Sequence, residues 1–387
     1  MRGKLLPVLV TALATATSAL AAEDAYVVGL SGAVTGPSAG TLAPVVETIK
    51  AYVDTLNGKG GVNGKQVKLV ILDDQAEPSK AAANTKRLIA QEEAVLLINT
   101  SLSSTYAPML TEAKRAGVPV FFAGAVCPKE VYPPADALQF CSTAFGAEYD
   151  SQFALGFVKD SAKDPVKLGL AAMAIPLSRG EIDFAEGLSK RLGMTPVDKE
   201  IIPPPTADYT PFATKLKEAG PNWIYSWAPW VTQVKTFEAL RRLGWQGRYI
   251  AYAHLNSEDE LARLKDGELH VFGANAFFQD RLPIHAEIRA LAERAKINYP
   301  ASYLAEGYVA ALVLEAALKG TPWPATPAKV QAAMSNLKVD TKGLRGGTLE
   351  WTKENHFRTY QYYRIYRWDP AKSAVVRVKD WTGFTVK

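Results

Sequence analysis

Cysteine is scarce in this chain: only Cys127 and Cys141 occur among 387 residues, and no CxxC pair exists. Histidine is almost as rare, with four residues, His254, His270, His285 and His356, in no recognisable partner pattern. There is no HExxH zinc motif, no GxxxxGK[ST] phosphate loop and no GxGxxG dinucleotide fingerprint. These absences weigh against the metallohydrolase, nucleotide and dinucleotide chemistries that depend on those motifs, and they imply no cofactor. After residue 20 no run reads as long and apolar enough for a bilayer span, which needs about 20 strongly apolar residues. Strong charge of either sign is also lacking. The formal charge is +5, and removing Arg2 and Lys4 leaves +5 − 2 = +3. That is too little to imply a nucleic-acid partner, and the basic residues alternate with acids, as in Lys215-Leu216-Lys217-Glu218, like solvated helix faces.

What is present begins with an export signal. Arg2 and Lys4 form a positive start, Leu5 to Leu20 an apolar and small-residue run, and Ala19-Leu20-Ala21 an A-x-A cleavage site. Thr11, Thr15, Thr17 and Ser18 dilute the run too much for a membrane anchor. Residues 1–22 are therefore expected to be a signal peptide. No cysteine stands at the cleavage site, so the expected location is the periplasm without a lipid anchor. In an exported chain an even cysteine count implies a Cys127–Cys141 disulfide around the Pro-rich segment VYPPADALQF. The alternative, a reactive thiol, has no nearby histidine to support it. The remaining length of about 365 residues exceeds one ordinary core, so two domains are expected.

The chain alternates strand and helix. Tyr26–Leu30, Val67–Leu72, Ala94–Ile98 and Val118–Phe122 read as short apolar strands. Between them, Leu42–Leu56, Ser79–Glu92 with Ser79 as N-cap, and Thr105–Ala116 read as helices. Asn57-Gly58-Lys59-Gly60-Gly61 stops the first helix. The grammar restarts after Phe145: strands at Lys167–Ala172, Pro196–Ile202, Trp223–Trp227 and Arg248–Ala253, helices at Asp150–Asp160, Ile182–Leu192, Pro211–Ala219 and Val231–Leu243. Such runs imply parallel sheets covered on both faces. The last third holds a long helix, Ser302–Leu318, a shorter one, Pro327–Ser335, and strand-like Gly346–Trp351 and Thr359–Trp368. It is expected to complete the two halves rather than to begin a third.

Several weak motifs then occur in a specific order. Gly32-Ala33-Val34-Thr35-Gly36-Pro37 follows the first strand, and Gly60-Gly61-Val62-Asn63-Gly64-Lys65 precedes the second. Asp73-Asp74-Gln75 with Pro78, Ser103-Ser104-Thr105, Asp208-Tyr209-Thr210-Pro211-Phe212, Tyr308, and Gly343 with Gly346-Gly347 come after. In this order the chain resembles the type I periplasmic binding proteins of the leucine/isoleucine/valine-binding class, which feed ABC importers. The resemblance covers nearly all of the chain after the signal peptide. It implies an α/β fold of two Rossmann-like lobes with parallel central sheets and a three-segment hinge. Lobe 1 would comprise residues 23–144 and 276–353, and lobe 2 residues 145–275 and 354–387. The crossovers would lie near Thr143–Phe145, Asn275–Phe277 and Trp351–Asn355. It further implies a monomer that closes on a small molecule and docks on an inner-membrane permease.

Open parallel sheets bind ligands at the carboxyl ends of their strands, and an interlobe cleft is a common ligand site. The candidate set is Thr41; Ser101, Leu102 and Ser103, whose helix-opening amides suit a carboxylate; Gly124, Ala125 and Val126; Arg179; Trp227, Pro229 and Trp230; Tyr252 and His254; and Phe278 by the second crossover. Amino-acid binders of the family usually offer a threonine where Val126 stands, glycines and a tyrosine where Trp227-Ala228-Pro229-Trp230 stands, and an acid for the ligand ammonium near Tyr252-Ala253-His254. Here no acid follows before Glu258. An unpaired buried ammonium is costly, so the expected ligand is a small aromatic or hydrophobic carboxylate. Core packing remains open for the tryptophans and His254, and a surface role for Arg179. Other readings are a branched-chain amino acid or amide binder, and a sensory ligand-binding protein. Gly36-Pro37-Ser38-Ala39-Gly40 formally matches the G-x-S-x-G hydrolase elbow, but the later acid and histidine that this mechanism requires show no pattern.

Overall fold

The computed structural model describes residues 25–255 and 257–387. The expected signal peptide, residues 1–22, lies outside them.

The first half builds a five-stranded sheet. Its strands are β1 (Ala25–Gly32), β2 (Gln66–Asp73), β3 (Leu96–Thr100), β4 (Val120–Phe122) and β5 (Gln139–Cys141), in the order β2-β1-β3-β4-β5, all parallel. Helices α1 (Ala39–Asn57), α2 (Pro78–Ala90) and α3 (Tyr106–Ala116) make the crossovers. β3 is buried at every residue, as a strand covered on both faces must be. α2 begins one residue before the expected N-cap: Pro78 takes the first helical position, where its fixed φ suits the helix, and Ser79 is the second helical residue. After α1, Gly60 and Gly61 hold φ of +99° and +77°. A Cβ on Gly61 would stand 1.9 Å from Lys65 O, so only glycine fits there.

The second half contains α4 (Tyr149–Ser161), β6 (Lys167–Met173), α5 (Pro176–Arg191), β7 (Thr195–Ile202), α6 (Thr210–Glu218), β8 (Trp223–Trp227), α7 (Trp230–Arg242), β9 (Arg248–Tyr252), α8 (Ser257–Leu264) and β10 (Leu269–Gly273). The chain then returns to the first sheet with α9 (Pro283–Ala295), α10 (Ala305–Lys319), α11 (Pro327–Met334) and the short antiparallel pair β11 (Lys338–Val339) and β12 (Leu349–Glu350). β13 (Tyr360–Asp369) and β14 (Ala374–Thr385) finally extend the second sheet to β14-β13-β10-β9-β8-β6-β7, with β13 and β14 antiparallel to their neighbours. The stretch Ala301–Lys319 has the length and apolarity of a membrane span, contrary to the reading that none does, yet two thirds of it is buried inside the protein. α10 lies against α1 so closely that a Cβ on Gly307 would sit 2.6 Å from Thr48 Cβ.

The chain thus passes between the sheets three times: after β5, after β10 and before β13. At the last passage Trp351 still packs in the first core. Two buried arginines lace the passages together. Arg345 Nη2 donates to Ser142 O at 2.7 Å and pairs with Glu306 at 2.9 Å, while Glu306 accepts from Asn275 at 2.8 Å. Arg358 donates to Thr143 O, and Gln361 Nε2 donates to Ala144 O at 2.8 Å.

Candidate functional site

The carboxyl ends of both sheets face one cleft with about 610 Å³ of empty space between its walls, open solvent included. The first sheet contributes the turns after β1, β3 and β4. These carry Ser38, Thr41 and Leu42; Ser101, Leu102, Ser103 and Tyr106; and Gly124, Ala125 and Val126. The second sheet contributes the turns after β6, β8 and β9, with Met173, Ile175, Leu177 and Ser178; Trp227, Pro229 and Val231; and Tyr252 and His254. Phe145, on the first passage, closes one side. The amide of Leu177 donates to Ser103 Oγ at 3.5 Å, so the two walls touch across the opening.

Of the sequence-predicted residues, the structure brings Thr41, Ser101, Leu102, Ser103, Gly124, Ala125, Val126, Trp227, Pro229, Tyr252 and His254 to this cleft. Three lie elsewhere. Arg179 is not in a loop: α5 starts at Pro176, six residues before the expected Ile182, so Arg179 is an exposed residue of its first turn, and Ser178 faces inward instead. Trp230 opens α7 and is 2 % exposed, packed in the core with Val234 and Phe237. Phe278 belongs to the first core, its ring stacked on His285 at 4.2 Å. Glu258, the first acid after Tyr252, accepts the amides of Phe278 and Gln279 at 2.6 and 2.8 Å and does not line the cleft.

Several cleft residues were missed by sequence reasoning. Ser38 and Leu42 flank Thr41 on the first turn of α1, and Ser178 adjoins Arg179, so correct helix starts would have found them. Tyr106, Phe145, Met173 and Ile175 carry no sequence signal beyond being apolar.

Local chemistry fixes the walls. Gly124 holds φ +68°, and a Cβ there would stand 2.7 Å from Val45 Cγ2. The Cys127–Cys141 disulfide ties the turn after β4 to the end of β5. The Ser101 hydroxyl donates to Asp74 at 2.7 Å, Tyr106 Oη to Val126 O at 2.6 Å, and Ser178 Oγ to Trp227 O at 2.5 Å. The aromatic rings form a continuous wall, with Trp227 to Tyr252 at 5.2 Å, Tyr252 to Phe145 at 4.6 Å, and Phe145 stacked on His254 at 5.3 Å.

Behind that wall lies a buried acidic network. Asp150 accepts from Trp227 Nε1 at 2.9 Å, from Tyr363 Oη at 2.6 Å and from Gly146 N at 2.9 Å. Burial pushes its carboxyl up to about 6 against these hydrogen bonds. Glu181 accepts from Ser151 and from the Glu148 amide, and burial, then the nearby Asp150, pushes it up to about 8. Neither carboxyl lines the cleft.

The electrostatics of the cleft itself are unusual in one respect. Among the described residues that line it there is no Asp, Glu, Lys or Arg. Burial depresses His254 to about 3, so its imidazole is neutral at physiological pH. The starts of α1, α3, α5 and α7 all line the opening, and helix N-termini carry partial positive charge.

Residues 25–374 match the profile of the family described as periplasmic binding protein. The chain belongs to that family. Among relatives of this periplasmic binding protein, the "Amino acid binding protein" of Pseudomonas aeruginosa is 24% identical over 353 residues, covering 89% of this chain and 90% of the relative. The fold is that of type I members. A branched-chain amino acid ABC transporter structure from Thermus thermophilus with bound valine superposes with a TM-score of 0.80 at 17% identity, covering 94% of this chain and 97% of that one. A solute binding protein of an ABC transporter from Rhodopseudomonas palustris BisB5, in complex with 3,4-dihydroxybenzoic acid, superposes with a TM-score of 0.79 at 19% identity, covering 94% and 98%.

Proposed function

We propose that this protein is the extracytoplasmic solute-binding component of an ABC importer and captures a small aromatic or hydrophobic carboxylate. In this reading a signal peptide exports the chain, which works as a monomer. Two lobes, residues 23–144 with 276–353 and residues 145–275 with 354–387, close over the ligand, and the closed form docks on a permease.

The observation that carries the ligand reading is the absence of any charged side chain among the described cleft residues, combined with four helix starts that converge there. Converging helix N-termini favour an anion. A zwitterionic amino acid would bring an ammonium into this field with no carboxylate to meet it, at a high desolvation cost. An aromatic acid puts its carboxylate against the amides and its ring against Trp227, Tyr252 and Phe145. The dihydroxybenzoate complex of the Rhodopseudomonas neighbour agrees with this reading; the name of the Pseudomonas relative favours an amino acid.

A thermal-shift screen of the mature protein against aromatic acids, branched-chain amino acids and short amides tests it. A ligand at about 100 times its dissociation constant adds about 2.7 kcal/mol of stability. Shifts confined to aromatic acids are the expected result. A shift with leucine or valine and none with aromatic acids would replace this reading by amino-acid binding.

A further inference from the structure

The polar groups of the cleft divide into those already engaged and those left over. Ser101, Tyr106 and Ser178 give their hydroxyl protons to Asp74, Val126 O and Trp227 O. Among the described residues, the side chains of Ser38 and Thr41 make no hydrogen bond; both belong to the first-sheet wall at the start of α1. On the opposite wall, after β9, the Tyr252 hydroxyl finds no partner among the described residues either, and His254 Nδ1 is buried without one among them. The rest of the lining is largely apolar and includes Leu102, Val126, Phe145, Met173 and Trp227.

The imidazole of His254 is 8 % exposed, fixed against Phe145 and uncharged. A buried nitrogen without a partner is costly, and such groups in folded proteins are normally satisfied by water or by what binds there. A neutral imidazole offers one donor and one acceptor nitrogen, and a tyrosine hydroxyl can donate or accept. A second charged group on the ligand would be desolvated here without compensation. A hydroxyl matches the chemistry of both neighbours, whose rings lie 6.4 Å apart, because it can accept from Tyr252 Oη and donate to the imidazole.

We infer that the ligand is an aryl carboxylate with a ring hydroxyl at the end remote from its carboxylate, and that His254, with Tyr252, selects for that hydroxyl. This rests on the aromatic-acid reading above and narrows it to hydroxylated members. Leu102, Val126 and Trp227 would hold the ring, and the Ser38 and Thr41 wall the carboxylate.

Calorimetric titration of the mature protein with benzoate, 3-hydroxybenzoate, 4-hydroxybenzoate, 3,4-dihydroxybenzoate and 4-methoxybenzoate tests the inference. The best hydroxylated acid should bind at least about tenfold more tightly than benzoate, because the unmet polar groups penalise a ligand that lacks the hydroxyl. 4-Methoxybenzoate, which cannot donate, should fall with benzoate. His254→Phe keeps an aromatic ring against Phe145 and should shrink the ratio of hydroxylated acid to benzoate below about twofold. If this variant does not fold, the methoxy comparison in the unaltered protein decides. Equal affinity for benzoate and its hydroxylated forms, or a ratio unchanged in His254→Phe, overturns this inference and leaves the aromatic-acid reading standing. Binding of an amino acid with no response to any of the five acids overturns both.

Discussion

The indole N–H of Trp227 donates to Asp150 at 2.9 Å, so the main aromatic wall of the cleft is held by a carboxylate that never reaches the cleft itself. The same carboxylate accepts from Gly146, beside the first passage between the sheets, and from Tyr363 on β13, beyond the third. One acid therefore ties the wall to two of the three connections between the sheets.

Replacing Asp150 tests that link. Asp150→Ala leaves three buried donors without partners, at roughly 1–3 kcal/mol for each unsatisfied group. A total loss of about 3–5 kcal/mol in urea unfolding is expected, since the groups relax together. Asp150→Asn keeps one acceptor oxygen and should cost less, while still loosening ligand binding because Trp227 loses its fixed orientation. An Asp150→Asn protein with unchanged ligand affinity would show that the indole is set by packing alone.

Stability should fall as pH rises from 6.5 to 8.5. Glu181 is pushed up to about 8 and Asp150 to about 6, both first by burial. A carboxyl raised in the folded state contributes stability that is complete below its ordinary pKa and is lost as pH rises through the folded value. Buried histidines act in the opposite direction: His254 at about 3, and His270 and His285 at about 4, contribute above 6.5 and lose their contribution as pH falls. The histidine contributions level off by about pH 7.5, one unit above the ordinary histidine value, and offset part of the fall below that; above it the acids alone decide the slope. Glu258, raised to about 7, shares the lower half of the window, so Glu181→Gln should flatten the profile mainly above 7. Urea midpoints across this range, with and without the substitution, measure it.

The turn after β4 should tolerate nothing but glycine at its second position, Gly124. Gly124→Ala meets two penalties, the φ of +68° and a Cβ 2.7 Å from Val45 Cγ2. Backbone strain of this kind costs about 1–3 kcal/mol and overpacking about as much again. Val45→Ala in the same chain should remove the clash and leave the strain. The double variant is therefore expected between Gly124→Ala and the unaltered protein in thermal midpoint, after correction for the cavity that Val45→Ala alone makes. Because Ala125 and Val126 line the cleft, Gly124→Ala should also weaken ligand binding.

The sequence exposed the sheet interiors clearly and the edges poorly. β3 and β8 are short, wholly buried apolar runs bounded by turn residues, and their existence could be read directly. β14 could not: it is an edge strand whose Arg377, Lys379 and Asp380 interrupt the pattern, as expected where charge protects an open edge. β5 has three residues, too few for any period, and α8 has eight, half of them charged; β10 and α9 were missed although β10 is wholly buried and α9 runs thirteen residues. The site was legible wherever position along the chain is enough, as in the turns after β1, β3, β4, β8 and β9. It was illegible where rotation decides. Trp227 and Trp230 are three residues apart, but one ends a strand at the cleft and the other begins a helix, and the helix turns Trp230 into the core. Arg179 failed by a single residue for the same reason: Pro176 starts α5 early, and the helix then presents Ser178 inward and Arg179 outward.

The buried pair Arg345–Glu306 separates what charge does from what hydrogen bonding does at the passages. Both side chains are almost wholly buried, 3% and 1% exposed, and meet at 2.9 Å. Arg345→Met strands the Glu306 carboxylate in the interior and should cost about 3–5 kcal/mol. Adding Glu306→Leu removes the stranded charge, and replacing such a pair by apolar groups is often neutral, so most of the loss in urea midpoint should return. What cannot return is the bond from Arg345 to Ser142 O on the first passage and the bond from Asn275 to Glu306 on the second. The double variant is therefore expected to regain stability while its ligand association rate, followed by stopped-flow fluorescence, stays altered. A double variant that recovers both would make the pair a packing element with no part in lobe movement, and one that recovers neither would mean that the passages need the ion pair to fold.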